Sequence, residues 1–336
     1  MQDIRAQAMR EWLDGQAAWR EGRLTPLTGD ASFRRYFRWQ GADDATAMVM
    51  DAPPPQEDVR PFLQVREAMA SLSVAVPACY AQSIEQGFLL LEDFGDTTLA
   101  QAVAQADEVA IDRLYRQALT QLVNWQTHEQ QPAVAQSLPN YDAPLLVREM
   151  QLLPDWLLKV HCDAPLSSFE QSEWQQWLRL LSGHALAQPQ VLVHRDYHSR
   201  NLMVTDKGVL GVIDFQDAVR GALTYDAVSL LRDAYVRFDE DQVTEWLRFY
   251  FLALVSAGRL TKDEWTGFVR AFDWMGVQRH LKVLGIFARL FHRDGKKGYL
   301  KDMPLVLNYV LSVASRYPEL SNLADWLEKR VGDRLL

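Results

Sequence analysis

The sequence predicts an α+β fold, a small strand-rich first part followed by a larger, mainly helical one. Three observations carry that expectation. Period-two or continuous apolar runs bounded by Pro, Gly or Asp fall mostly before residue 95. From Asp107 onward, apolar residues recur at three- and four-residue spacing over long segments. The exception is the stretch 191–217, VLVHRDYHSRNLMVTDKGVLGVIDFQD, whose apolar runs end in charged residues that a buried strand would not choose. With no Ser/Gly-rich linker, internal repeat or low-complexity tract, the two parts read as lobes of one fold, residues 1–95 and 96–336.

Taken in order, residues 3–20 predict an amphipathic helix with Ile4, Ala8, Trp12 and Trp19 on one face. Residues 24–28 and 33–39 read as strands around the turn Gly29, Asp30, Ala31 and Ser32. Residues 45–50 form a third strand, ended by Asp51 and the prolines that follow, because Pro cannot continue a ladder. Residues 57–72 have helical spacing, with Phe62, Val65, Met69 and Leu72 as the packed side. Two further strands, 76–84 and 87–91, lead into the acidic connector Glu92-Asp93-Phe94-Gly95. Helices are then expected over 107–128, 144–160 and 168–187. After the 191–217 stretch, Thr224 or Asp226 caps another helix, with more over 239–256, 262–291, 304–317 and 323–331.

Composition bounds the function. The chain has 336 residues, 48% of them apolar and 24% charged, as in ordinary soluble globular proteins. A net charge of −9 argues against a general nucleic-acid binder. Two cysteines, Cys79 and Cys162, make neither a disulfide framework nor a metal cluster and suit a reducing cytoplasm. The first residues lack the apolar core of a signal peptide, and the longest apolar run, 249–257, is too short to span a bilayer. A cytoplasmic monomer that avoids membranes is expected.

The 191–217 stretch carries the chemistry. His194-Arg195-Asp196 is followed five residues after the Asp by Asn201. Leu202 to Val204 then pair through an Asp206-Lys207-Gly208 turn with the run entering Asp214. A loop anchored at both ends thus presents Asp196 and Asn201, and the hairpin delivers Asp214. This is the residue logic of phosphoryl transfer, in which one carboxylate takes the nucleophile's proton while an amide and a second carboxylate hold Mg²⁺. Magnesium prefers oxygen ligands, and Asp196 must stay off the metal to accept a proton. The plainer alternative is a polar loop whose Asp and Asn cap local backbone.

These motifs resemble the aminoglycoside phosphotransferase and choline kinase family, which has the two-lobed protein-kinase-like fold. The loop His194-Arg-Asp196-Tyr-His198-Ser-Arg-Asn201 fits its HxDxHxxN pattern. The resemblance implies ATP and Mg²⁺ as cofactors, with ATP bound between the lobes. Its phosphates would lie under Gly29, Asp30, Ala31 and Ser32, and its adenine against Glu92, Asp93 and Phe94. His194 would be structural, Asp226 would brace the catalytic loop, and His198 is either a substrate contact or a loop histidine bonded to backbone.

The chain departs from that pattern in having no lysine before Lys159, so the third-strand lysine that usually holds the α- and β-phosphates is missing. By alternation Arg35 shares a face with Phe33, Phe37 and Trp39, while Arg34 and Arg38 face the other way. Arg35 is therefore the expected phosphate cation, unless it is a surface arginine. The stretches GDASFRRYFRW, VMDAPPPQEDVRPF, LLLEDFGD, REMQLLPDWLL and HRDYHSRNLM are more specific, and resemble the family of bacterial anomeric N-acetylmuramate/N-acetylglucosamine kinases. That resemblance implies phosphorylation of the C1 hydroxyl of an amino sugar during cell-wall recycling, with Glu149 on the substrate side.

One feature bears on the acceptor independently. Between Arg279 and Lys301 stand seven basic residues against a single acidic one, Asp294. At about 100° per residue, Arg279, Lys282, Arg289 and Arg293 fall within an arc of about 80°. Arg279 and Lys282 are candidate contacts for a substrate carboxylate; a solvated basic helix face fits the same pattern. Kinases of the same fold for an aminoglycoside, choline or an amino acid, a protein kinase and an inactive nucleotide-binding regulator stand as alternatives.

Overall fold

The computed structural model describes residues 3–27 and 33–335. It divides into two compact units, Met1–Thr97 with Met203–Asp217, and Thr98–Leu202 with Ala218–Leu336. A single division near Gly95 would leave the 203–217 hairpin with the later residues. The hairpin instead joins the first unit, because the Val212 N–H donates to the Ala75 carbonyl (2.8 Å) and Phe215 packs on Phe62.

In the first unit, strands β1 (Arg23–Pro26), β2 (Arg35–Gln40), β3 (Thr46–Asp51), β4 (Cys79–Ser83) and β5 (Phe88–Glu92) form an antiparallel sheet ordered β1-β2-β3-β5-β4. The register sets Arg35 opposite Asp51, Tyr36 opposite Met50 and Trp39 opposite Ala47. Because side chains alternate, Phe37, Trp39, Ala47, Val49, Phe88 and Leu90 make one buried face, and the helix Ile4–Asp14 covers it with Met9 and Leu13. Ala8, Trp12 and Trp19 of the expected face pack against the same core beside them, whereas Ile4 is 81% exposed. Trp39 lies between two glycines: a Cβ on Gly22 or on Gly41 would come within 2.1 Å of its ring. The helix Val59–Ser71 buries Phe62, Val65 and Met69 as expected, and Asp58 caps it.

The second unit is built around the helix Trp265–Asp294, 30 residues long, which ends at left-handed Gly295 (φ 69°). The helices Ser168–Leu186, Tyr225–Leu231 and Met303–Ala314 and the π-helix Leu153–His161 pack against it. The single helix expected over 144–160 is two elements, Ala143–Met150 and that π-helix. Pro154 explains the break, since its ring has no N–H and collides with the carbonyl four residues back. The strand Gln190–Val193 pairs with Val219–Ala222, a strand that periodicity does not reveal. No helix of the described residues is long and apolar enough to cross a membrane.

Candidate active site

The loop 194–201 leaves the strand Gln190–Val193 and is held in shape from outside itself. Asp226, fully buried in the first turn of the helix Tyr225–Leu231, accepts hydrogen bonds from the backbone N–H groups of His194 (2.7 Å) and Arg195 (3.0 Å). Burial pushes the Asp226 carboxyl up to about 7, against the downward pull of those donors. Asp233 accepts from the Ser199 N–H (2.9 Å) and hydroxyl. Sequence reasoning assigns Asp226 and misses Asp233, which stands seven residues later, just past the end of that helix at Leu231. Buried His194 accepts from the Asp196 N–H (3.2 Å), and the Tyr197 hydroxyl donates to the Ala118 carbonyl (2.9 Å). So braced, the backbone holds Arg195 at φ 76°, a conformation costly for a residue with a side chain and concentrated at functional sites.

Around the loop the second unit gathers the charged candidates. The Arg195 guanidinium and the Tyr141 hydroxyl both bond Glu149, and Lys282 Nζ lies 3.3 Å from the same carboxylate and 3.2 Å from the Tyr225 hydroxyl. Arg279 donates to the Ser229 hydroxyl and approaches Asp196 Oδ1 at 4.0 Å. Arg279 and Lys282 are each 5% exposed, whereas the Asp196 side chain is 40% exposed. Burial would raise the Asp196 carboxyl, but Lys282, His198, Arg279 and Arg195 hold it well below the usual carboxylate range. Glu149 is lowered too, as Lys282 and Arg195 outweigh its burial. Three permanent cations thus face two carboxylates here. The basic helix face expected from the sequence divides, Arg279 and Lys282 turning into this cluster while Arg293 bonds its neighbour Asp294 at the exposed end. His198 stacks edge-on against Tyr235 at 5.2 Å. Asn201 donates its amide nitrogen to the Asp196 carbonyl (3.0 Å), which fixes the side on which its amide oxygen lies.

The first unit holds the remaining candidates. Asp214 follows the strand Leu210–Val212 at φ 62° and accepts from Gln216 (2.9 Å). Glu92 takes the Ala78 N–H (3.2 Å) and Lys207 (3.1 Å), and Asp93 pairs with Arg38 (2.7 Å). Phe94 lies on Gly211, where a Cβ would stand 2.4 Å from its ring. The turn residues Gly29, Asp30, Ala31 and Ser32 lie outside the described residues. Arg35 corrects an expectation. It does share the face of Phe37, but that face is the one covered by the N-terminal helix, and its guanidinium is engaged by Asp3 and by fully buried Asp51 (2.6 Å). The inward-facing arginine therefore anchors the helix.

A model of the phosphotransferase enzyme family matches residues 23–264, and the chain belongs to that family. Over 99% of its length it is 45% identical to an N-acetylmuramate/N-acetylglucosamine kinase of Pseudomonas putida, 98% of which is covered. A kinase of the same name from Neisseria meningitidis is 40% identical over 98% of this chain and 96% of its own. Two solved structures share the fold at low identity. Aminoglycoside phosphotransferase APH(2'')-Ib with ADP has a TM-score of 0.60 at 18% identity, covering 90% of this chain and 97% of that one. Choline kinase LicA from Streptococcus pneumoniae has a TM-score of 0.60 at 12% identity, covering 92% and 100%.

Proposed function

We propose that this phosphotransferase moves the γ-phosphoryl group of ATP to the anomeric C1 hydroxyl of N-acetylmuramate and N-acetylglucosamine, in the cytoplasm. The full-length likeness at 40–45% identity to kinases named for those two sugars carries the reading. In it, Asp196 orients the C1 hydroxyl and takes its proton. A carboxylate held so far down is a weak base, which suits an anomeric hydroxyl, more acidic than an ordinary sugar alcohol. The cations that depress it keep it ionised whatever the pH of the cell.

Asn201 and Asp214 offer magnesium an amide oxygen and a carboxylate, the hard donors it takes alongside substrate phosphates. When bound, magnesium supplies neutralisation of phosphate charge. The chain's own part is to position and to exclude, since phosphoryl transfer asks little covalent chemistry of a protein. Arg279 and Lys282, two buried cations beside Asp196, suit the lactyl carboxylate that N-acetylmuramate carries and N-acetylglucosamine lacks.

³¹P NMR of the protein with ATP, Mg²⁺ and either sugar tests the proposal. A sugar phosphate signal coupled to the anomeric proton is expected with both. Phosphate appearing at C6, or transfer only to an aminoglycoside or choline, would refute it.

A further inference from the structure

The basic residues on one face of the helix Trp265–Asp294 differ in their partners. Arg279 donates to Ser229 and approaches Asp196, and Lys282 lies 3.3 Å from Glu149. Arg293, at the exposed end, pairs with Asp294 (2.8 Å). Arg289 stands between Lys282 and Arg293 and is partly exposed. It makes no hydrogen bond or ion pair among the described residues, and its Nε is buried without a partner. A buried guanidinium N–H left unpaired is costly and calls for an explanation. Burial, and after it neighbouring Arg293, push the Arg289 pKa down. Arg195, Arg279 and Lys282 share the burial, yet the carboxylates and tyrosines beside them hold them above their ordinary values. Arg289 is a cation without its anion.

Its place on the helix indicates where that anion comes from. At about 100° per residue, Lys282 and Arg289 lie within about 20° of each other, two turns apart. Gly285 stands between them, and a Cβ there would meet the Leu152 backbone at 2.3 Å, so this face lies close against the segment that follows Glu149. Helix side chains lean toward the N-terminus, which tips Arg289 back toward Lys282, and Glu149 acts electrostatically on both.

We infer that Arg289 is a specificity-determining residue: with Lys282 it receives the carboxylate of the acceptor, and so sets the preference between N-acetylmuramate and N-acetylglucosamine. The inference rests on the kinase reading above and deepens it. The lactyl group is carried two ring carbons from C1, so its carboxylate stands off from Asp196, where Arg289 can meet it. Lys282 is shared with Glu149, which already offsets its charge. Arg289 adds a charge that no carboxylate of the described residues pairs with, in a planar fork that takes both carboxylate oxygens.

Steady-state kinetics at saturating ATP tests it, with wild type, Arg289→Ala, Arg289→Lys and Arg293→Ala acting on N-acetylmuramate, its methyl ester and N-acetylglucosamine. Arg289→Ala should lower kcat/KM for N-acetylmuramate about 10- to 100-fold, mainly through KM, the range that a charge-assisted hydrogen bond spans. The neutral methyl ester and N-acetylglucosamine should change by no more than about threefold. Arg289→Lys should recover part of the loss, a point charge replacing a bidentate fork. Arg293→Ala, whose guanidinium is engaged by Asp294 at the surface, should leave all three sugars within about twofold. If Arg289→Ala lowers the melting temperature, Arg289→Met, which keeps the apolar stem, decides in its place. The inference falls if N-acetylmuramate is used as well without the guanidinium, if the neutral sugars lose equally, or if Arg293→Ala reproduces the loss. A wild type that phosphorylates neither amino sugar brings down the kinase reading; one active on both, with an unselective Arg289→Ala, brings down this inference alone.

Discussion

Asp226 never touches a reacting atom in the proposed mechanism, yet it dictates where Asp196 stands. Its carboxyl titrates near 7 in the folded chain because burial opposes ionisation, against about 3.9 for a free aspartate. A folded pKa raised in this way contributes stability that is complete below the unfolded value and is lost as pH rises through 7. Asp226→Asn removes the titration, so the melting temperature of the wild type relative to that variant should fall from about pH 4 to about pH 7, the window between the unfolded and folded values, and level off above it. A constant difference would show that Asp226 stays ionised throughout. Asp196→Asn should cut kcat by about 10²- to 10⁴-fold, the usual cost of losing a general base, while ATP affinity by titration stays near wild type. Loss of ATP binding with kcat retained would assign Asp196 to the nucleotide. At this scale the sequence was informative where spacing decides, as for Asp196, Asn201 and Asp214 on one loop and hairpin. It was silent on Glu149 clamped by Arg195 and Lys282, whose partners are separated by 46 and 133 positions and meet only in the fold.

At the scale of elements, alternation along β2 was legible and its consequence was not. The pattern Phe33-Arg34-Arg35-Tyr36-Phe37-Arg38-Trp39 gives two faces and does not say which one a helix covers. Met9 and Leu13 of the N-terminal helix answer that, and leave Arg5 and Arg35 sharing fully buried Asp51. Arg35→Ala should therefore destabilise the chain by about 1–3 kcal/mol, below the full cost of breaking a buried pair because Arg35 is 39% exposed. The double variant with Arg5→Ala should lose more than the two singles together, since it alone strands the buried charge. Urea denaturation of all three checks both statements; additive losses would mean that Asp51 is satisfied elsewhere. Helix boundaries followed their caps closely, as at Asp58, Asp107, Ser167 and Asp239. The 144–160 helix failed because apolar spacing runs on through a proline that the backbone cannot accommodate. Close approach was equally hidden. A Cβ on Gly285 would stand 2.3 Å from the Leu152 backbone, so Gly285→Ala should cost about 1–3 kcal/mol through overpacking despite its better helix propensity.

For the whole molecule, charge sets two opposing effects on an anionic acceptor. The chain carries −9 and repels it at long range. The cations that would meet a lactyl carboxylate, Arg279 and Lys282, are each 5% exposed and act only at contact. Salt separates these effects, because the Debye length shrinks from about 30 Å at 0.01 M to about 8 Å at 0.15 M while buried interactions are screened far less. Raising monovalent salt across that range at saturating ATP should therefore lower the KM for N-acetylmuramate. The KM for neutral N-acetylglucosamine should stay fixed. An exposed basic helix face, the alternative open from the sequence alone, would act as a steering patch and give the opposite slope. Steady-state kinetics on the two sugars distinguishes them: a KM for N-acetylmuramate that climbs with salt would move its recognition from the buried pair to the exposed end of the helix near Arg293.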